Sequence, residues 1–223
     1  MNNCLLCNQN INQKINLDFV FSIKPVELSH VCSKCIRKFK KVEGKICHYC
    51  SRPMAVNKCQ DCNRWNDDFV NHSLYEYNAE MKQYFSDYKF QGDYWLRKVF
   101  QQEFSEFLIK SIKKEEIIVP IPVDQSTWKQ RGFNQVIGLI ENLDYQDILI
   151  SHRTAKQKHQ FQNNRAKRLM NVNQFSLKNN NIILPQSAII VDDIYTTGTT
   201  IRHVRDCLKQ NGVQYIRSFT LCR

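Results

Sequence analysis

The stretch Ile189-Ile190-Val191-Asp192-Asp193-Ile194-Tyr195-Thr196-Thr197-Gly198-Thr199-Thr200 decides the fold. Its apolar opening is too short for a helix and reads as a buried strand. Two adjacent carboxylates then stand beyond the strand end, and a hydroxyl-rich turn around Gly198 opens a helix predicted over residues 199–211. Adjacent carboxylates can accept hydrogen bonds from vicinal ribose hydroxyls. Backbone N–H groups and threonine hydroxyls at a helix N-terminus can hold a phosphate. The candidate sugar-phosphate residues are therefore Asp192, Asp193, Thr196, Thr197, Gly198, Thr199 and Thr200. A helix cap alone needs one such residue, not seven in register.

Working outward, Ile117 to Ile121, Ile148 to Ile150 and Val213 to Leu221 read as further strands. Val136, Leu139, Ile140 and Leu143 have helical spacing, as do Met81, Tyr84, Phe85 and Tyr88, and Leu96, Val99, Phe100, Phe104, Phe107 and Leu108. The last two sets are predicted to be core-facing stripes rather than base-stacking platforms. Strand–helix alternation implies an α/β fold, a mainly parallel sheet with flanking helices, whose ligands sit at the strands' C-terminal ends. The segment from Trp128 to Gln135 is predicted to be a loop.

The first third has a different character. Cys4/Cys7, Cys32/Cys35, Cys47/Cys50 and Cys59/Cys62 form four Cys-x-x-Cys knuckles within 62 residues. Two knuckles complete a tetrahedral thiolate shell, so eight cysteines suit two structural Zn2+ ions. Short loops favour sequential pairing, with Cys4, Cys7, Cys32 and Cys35 on one ion and Cys47, Cys50, Cys59 and Cys62 on the other, although spacing also permits an interleaved arrangement. The expected domains are a metal-dependent unit at residues 1–65 and an α/β unit at 66–223. Cys207 and Cys222 stand alone and read as small buried apolar residues.

The formal net charge of +11 falls to about +7 once eight thiolates hold two Zn2+. That balance favours polyanions. Lys34, Arg37, Lys38, Lys40, Lys41 and Lys45 lie on an amphipathic-looking stretch with Phe39 and Val42 interleaved, and suit either a solvated face or nucleic-acid contact. Between Asp147 and Asp192 there is no acidic residue, whereas Arg153, Lys156, Lys158, Arg165, Lys167, Arg168 and Lys178 all fall there. His152 and His159 flank that basic stretch and read as exposed polar residues. No apolar run approaches a membrane span, no signal segment opens the sequence, and reduced thiols suit a cytoplasmic location.

Val191 to Thr200 resembles the phosphoribosyl pyrophosphate (PRPP) loop of type I phosphoribosyltransferases. Cysteine knuckles ahead of Val119-Pro120-Ile121-Pro122 and Arg131-Gly132-Phe133-Asn134-Gln135 resemble the ComF (ComFC/GntX-like) competence-protein family across essentially the whole chain. The resemblance implies a double zinc ribbon followed by a phosphoribosyltransferase-like domain. It also implies a role in handling single-stranded DNA during natural transformation, beside a competence helicase and a DNA-processing protein. By motif position, Asp192 and Asp193 would face the ribose hydroxyls and a Mg2+-bound ligand, and Thr196 to Thr200 the 5′-phosphate. Arg153, Thr154, Gln160, Arg168 and Asn171 match a second family block. Of these, Arg153, Gln160, Arg168 and Asn171, with Arg131, Gly132, Asn134 and Gln135, are the candidate pyrophosphate or DNA contacts.

Three functions are compatible with these features: a DNA-handling protein carrying a phosphoribosyl ligand, an active phosphoribosyltransferase, and a ligand-sensing interaction module. No residue stands out as a general base or as a selector of an acceptor ring.

Overall fold

The computed structural model describes residues 3–11, 29–152, 174–179 and 181–223. In chain order the elements that position the site are helices α1 (Ser33–Ile36) and α2 (Gln60–Asn63), strand β1 (Asn71–Tyr75), α3 (Ala79–Phe90) and a 3-10 turn at Tyr94–Val99. These are followed by α4 (Gln101–Ile109), β2 (Glu116–Pro120), α5 (Gln125–Arg131), α6 (Gln135–Ile140), β3 (Leu149–Ser151), β4 (Phe175–Leu177), β5 (Ser187–Ile194), α7 (Thr199–Gln210) and β6 (Tyr215–Cys222).

The main sheet has strand order β1-β6-β5-β2, and every pairing is parallel. β5 is a central strand, which explains its unbroken apolar run: both faces are covered. Successive side chains on a strand point to opposite faces. Ile189 and Val191 accordingly join Ile118, Phe219 and Leu221 in one core with α3, α4 and α6. Ala188 and Ile190 join Val119 and Ile121 in a second core, against Ile201, Val204, Cys207 and Leu208 of α7. Met81, Tyr84, Phe85, Tyr88, Leu96, Phe100, Phe104 and Leu108 are buried, as their spacing predicts. Cys207 and Cys222 are buried too.

Several expectations are corrected. Ile148 to Ile150 does not supply a strand of the main sheet; β3 pairs antiparallel with β4, Leu149 opposite Leu177, in a separate two-stranded sheet. The fourth place in the main sheet belongs to β1, whose polar sequence Asn-His-Ser-Leu-Tyr carries no apolar run. Its polar side chains are satisfied internally: Asn71 Nδ2 donates to Ser73 Oγ at 2.9 Å and to Thr220 Oγ1 at 3.1 Å. The basic stretch from Lys34 to Lys45 is not one amphipathic helix, because α1 ends at Ile36 and the chain turns so that Phe39 enters the first core. The loop expected from Trp128 to Gln135 shrinks to Gly132–Asn134, because Trp128 to Arg131 complete α5 and Gln135 opens α6. Asp124 caps α5 by accepting from Thr127 N at 2.9 Å, and Gly132, at φ +80°, ends it in the left-handed region.

The four knuckles pair sequentially. In each cluster, Cys4/Cys7/Cys32/Cys35 and Cys47/Cys50/Cys59/Cys62, the four sulfurs lie within 4.8 Å of one another. The two clusters occupy opposite faces of the sheet: Cys4 and Cys35 join the core of α3 and α4, whereas Cys47, Cys50, Cys59 and Cys62 join the core of α7.

Candidate functional site

β5 ends by delivering Asp192 and Asp193, and here the expectation shifts by three residues. The strand continues to Ile194, so both carboxylates lie within its last three residues rather than beyond it. Both are buried, 9% and 5% exposed, and alternation sends them to opposite faces of the sheet. Asp192 Oδ1 accepts from Asp193 N at 2.9 Å. Asp193 Oδ2 meets Lys89 Nζ of α3 at 2.6 Å, in a pair whose lysine side chain is only 13% exposed. A buried carboxylate needs such a partner.

The same corner holds Arg131. Its Nε donates to the carbonyl of Lys89 at 3.0 Å, and its guanidinium also bonds the side-chain oxygen of Gln135. Burial lowers the Arg131 pKa, and the charge of Asp193 opposes that shift. Asn134 is buried and fully engaged: Nδ2 donates to Ile121 O at 3.0 Å, while Oδ1 accepts from Val136 N at 2.9 Å as the cap of α6. Phe133 stacks on Tyr88 at 5.3 Å between centroids. The Arg131-to-Gln135 motif thus brings one guanidinium within the field of Asp193 and uses Gly132 and Asn134 to shape the chain. Arg153, Gln160, Arg168 and Asn171 lie outside the described residues.

Past Ile194 the chain turns through Tyr195 to Gly198 into α7. Gly198 sits at φ +76°, and no side chain caps the helix. Thr196 and Thr197 are exposed, and Thr197 Oγ1 lies 2.9 Å from Thr199 Oγ1. Uncapped first-turn N–H groups beside clustered hydroxyls are the arrangement that takes an oxyanion.

The rear of this turn is held by residues that sequence reasoning missed. Arg202 is 2% exposed; its Nε and Nη2 each meet an Asp67 carboxylate oxygen at 2.9 Å, and Nη1 donates to Tyr195 Oη at 2.9 Å. Trp65 lies over that guanidinium at 4.4 Å and donates its indole N–H to Thr197 O at 2.9 Å. A signal for Arg202 existed only as a cation beside Ile201 on the apolar face of α7. Lys89 carried none, being 104 residues from its partner in sequence.

Burial pushes the Asp67 carboxyl up, but the guanidinium groups of Arg202 and Arg205 outweigh it and hold it at about 2. A folded value below the unfolded one contributes stability that is complete above pH ~4 and fades as pH falls toward 2. We expect about 2 kcal/mol from this group. Urea midpoints at pH 5 and pH 2.5 check it: Asp67→Asn should be less stable than the parent at pH 5, and the gap should shrink to about a third of that at pH 2.5.

The cysteine clusters fit Zn2+. A tetrahedral ion with bonds of about 2.3 Å spaces its sulfurs about 3.8 Å apart; Cys7 and Cys32 sulfurs are 3.8 Å apart, and those of Cys50 and Cys59 3.6 Å. Backbone N–H groups already point at sulfur, Cys32 N to Cys4 Sγ and Cys59 N to Cys47 Sγ, both at 3.3 Å. Burial raises the Cys4 and Cys59 thiols, yet N–H donors and neighbouring thiols bring them down to about 6 and about 7, whereas burial pushes Cys35, Cys50 and Cys62 up. Cys4 and Cys59 thus favour thiolate, the form that binds metal.

The Phosphoribosyl transferase domain family matches residues 107–223. Competence protein ComFC of Bacillus subtilis is 36% identical over 230 residues, covering 99% of this chain and 94% of that protein. Competence protein ComFC of Streptococcus pneumoniae is 33% identical over 225 residues, 99% of each. Competence protein F of Haemophilus influenzae is 23% identical over 212 residues, 86% of this chain and 90% of that protein. With a parallel sheet, an acidic strand end running into an open helix and two four-cysteine clusters ahead of them, the chain belongs to the ComF family of phosphoribosyltransferase-domain proteins.

Proposed function

We propose that this protein acts in competence, binding a PRPP-type phosphoribosyl ligand together with single-stranded DNA. One observation carries the ligand half: two buried carboxylates at the end of a central strand lead, within six residues, into an uncapped helix N-terminus lined with threonines. Asp192 and Asp193 would receive the ribose hydroxyls, Thr196 to Thr200 the 5′-phosphate and Arg131 the pyrophosphate. Mg2+ would accompany the ligand and neutralise its diphosphate. Titration calorimetry with PRPP and Mg2+ should give binding that Asp192→Asn weakens at least tenfold. Equal affinity in the variant would sink the assignment.

The DNA half rests on charge and on the competence relatives. Lys34, Arg37, Lys38, Lys40 and Lys45 are all exposed, and the positive balance outlasts metal loading. Binding of an oligonucleotide should weaken steeply as salt rises. A competence helicase and a DNA-processing protein are the partners this role suggests. The match to the Phosphoribosyl transferase domain family favours a second reading, turnover of PRPP on an acceptor. Pyrophosphate release above that of Asp192→Asn, with bases or single-stranded DNA as acceptor, would support it.

A further inference from the structure

The second cysteine cluster is tied to the phosphate turn at several independent points. From Trp65, just past α2, the indole N–H holds the Thr197 carbonyl. From Asp67, a two-pronged ion pair fixes Arg202, which in turn holds Tyr195 Oη. From Asp61, inside α2, a carboxylate oxygen lies 3.4 Å from Arg223 Nη2. The other nitrogen of that guanidinium, Nη1, donates to Thr196 O at 2.8 Å and to Tyr195 O at 3.2 Å. The carbonyls of Tyr195, Thr196 and Thr197 are therefore all bonded on the side of the cysteine module. Peptide units whose carbonyls are gripped from behind turn their N–H groups the other way, since N–H and C=O are opposed across a trans peptide.

The module itself is anchored to the sheet. Ser51 Oγ donates to Asn71 O at 2.9 Å, and Asn71 N donates to Tyr49 O at 2.9 Å. Cys47, Cys50, Cys59 and Cys62 are each no more than 2% exposed and share a core with Tyr195 and Ile201. The first cluster joins the core of the other face, with α3 and α4.

We propose that the second four-cysteine module is the back wall of the phosphate turn, with Trp65, Asp67 and Arg223 as positioning residues, so that metal in this cluster sets ligand affinity without touching ligand. This rests on the turn being a phosphoribosyl site. When bound, the metal ties α2 and the Trp65–Asp67 segment that follows it to Cys47 and Cys50. Without it, the Arg52–Asp61 ion pair and the His48 N to Asn57 O hydrogen bond still link the Cys59/Cys62 segment to the Cys47/Cys50 knuckle, but the grips on residues 195–197 lose the firmest part of their base.

Hydrogen exchange on the full-length zinc-loaded protein tests this separately from the ligand assignment. In Cys59→Ser/Cys62→Ser, exchange across Tyr195–Thr200 should accelerate at least tenfold while β5 and β6 stay protected, and PRPP–Mg2+ affinity should fall at least tenfold. In Cys32→Ser/Cys35→Ser, exchange across the same six residues should stay within twofold of the parent. Unchanged exchange in the first variant, or equal acceleration in both, overturns the proposal. Should the first variant lose protection throughout the sheet, Trp65→Phe decides instead. It keeps a ring over Arg202 but removes the N–H, and exchange across residues 195–200 should still rise about threefold; no change refutes the wall. A parent protein that does not bind PRPP removes the ligand reading and leaves the exchange result to judge the wall.

Discussion

Replacing Lys89 with methionine should cost about 3–5 kcal/mol of stability, the penalty for leaving a buried carboxylate without its cation. Methionine keeps most of the lysine stem, so packing changes little and the effect isolates the charge. Asp193, 5% exposed, loses its partner at 2.6 Å. Arg131 already bonds Lys89 O and Gln135 and is not placed to substitute fully. For a chain of this length such a loss lowers the melting temperature by roughly 6–20 °C. Denaturant titration of the zinc-loaded protein checks the size, and the double variant Lys89→Met/Asp193→Asn checks the cause. Removing the charge as well should recover most of the loss; if it recovers none, the lysine acts through packing.

Gly198→Ala should cost about 2–5 kcal/mol and remove phosphoribosyl-ligand binding. Two effects add. An alanine held at φ +76° costs about 1–2 kcal/mol for its left-handed backbone. Its Cβ would also stand 2.2 Å from Tyr195 Oη and 2.4 Å from Arg202 Nη1. Neither neighbour can give way: Tyr195 is 1% exposed, and Arg202 is locked to Asp67. Overpacking of that kind adds about 1–3 kcal/mol. Gly132 is the internal comparison, with φ +80° and nothing within 4 Å of a built Cβ. Gly132→Ala should therefore show the backbone cost alone, about 1–2 kcal/mol. Parallel melting curves of the two variants separate the terms; equal losses would mean that the crowding at Gly198 is relieved by local movement.

What could be read in the chain beforehand follows from where the information lies. The knuckles, the apolar opening of β5 and the helix after Gly198 are local patterns, and each formed, β5 running on to Ile194, because spacing along the chain sets which atoms can meet. β1 escaped notice because its burial is satisfied by hydrogen bonds to Thr220 and Ser218, which no periodicity announces. The helix over Gln125–Arg131 was hidden by an absence of apolar positions, none of its residues being buried. Its signals were Asp124 before it and Gly132 after it, a cap and a stop. At the candidate site the acidic pair and the threonines were legible. Their supports, Lys89, Trp65, Asp67 and Arg223, were not: the first three act on residues at least 104 positions away, and Arg223 reaches back 27 positions from the end of β6 with no pattern to announce it.

The strand order β1-β6-β5-β2 also bears on assembly in time. Among the described strands β1 at residues 71–75 pairs with β6 at residues 215–222, its other side meeting a single bridge from Lys41 to Tyr75, so the β6 side of an early strand stays open until almost the last residues have been made. Pairings across such separations close slowly, and unpaired edges invite association with other chains. The cysteine clusters are built from segments that emerge before most of the sheet, with loops short enough to close at once. Both lie against β1 in the folded protein: Ser51 and Tyr49 of the second module bond Asn71 and Ser73, and Tyr75 shares a core with Cys35 of the first.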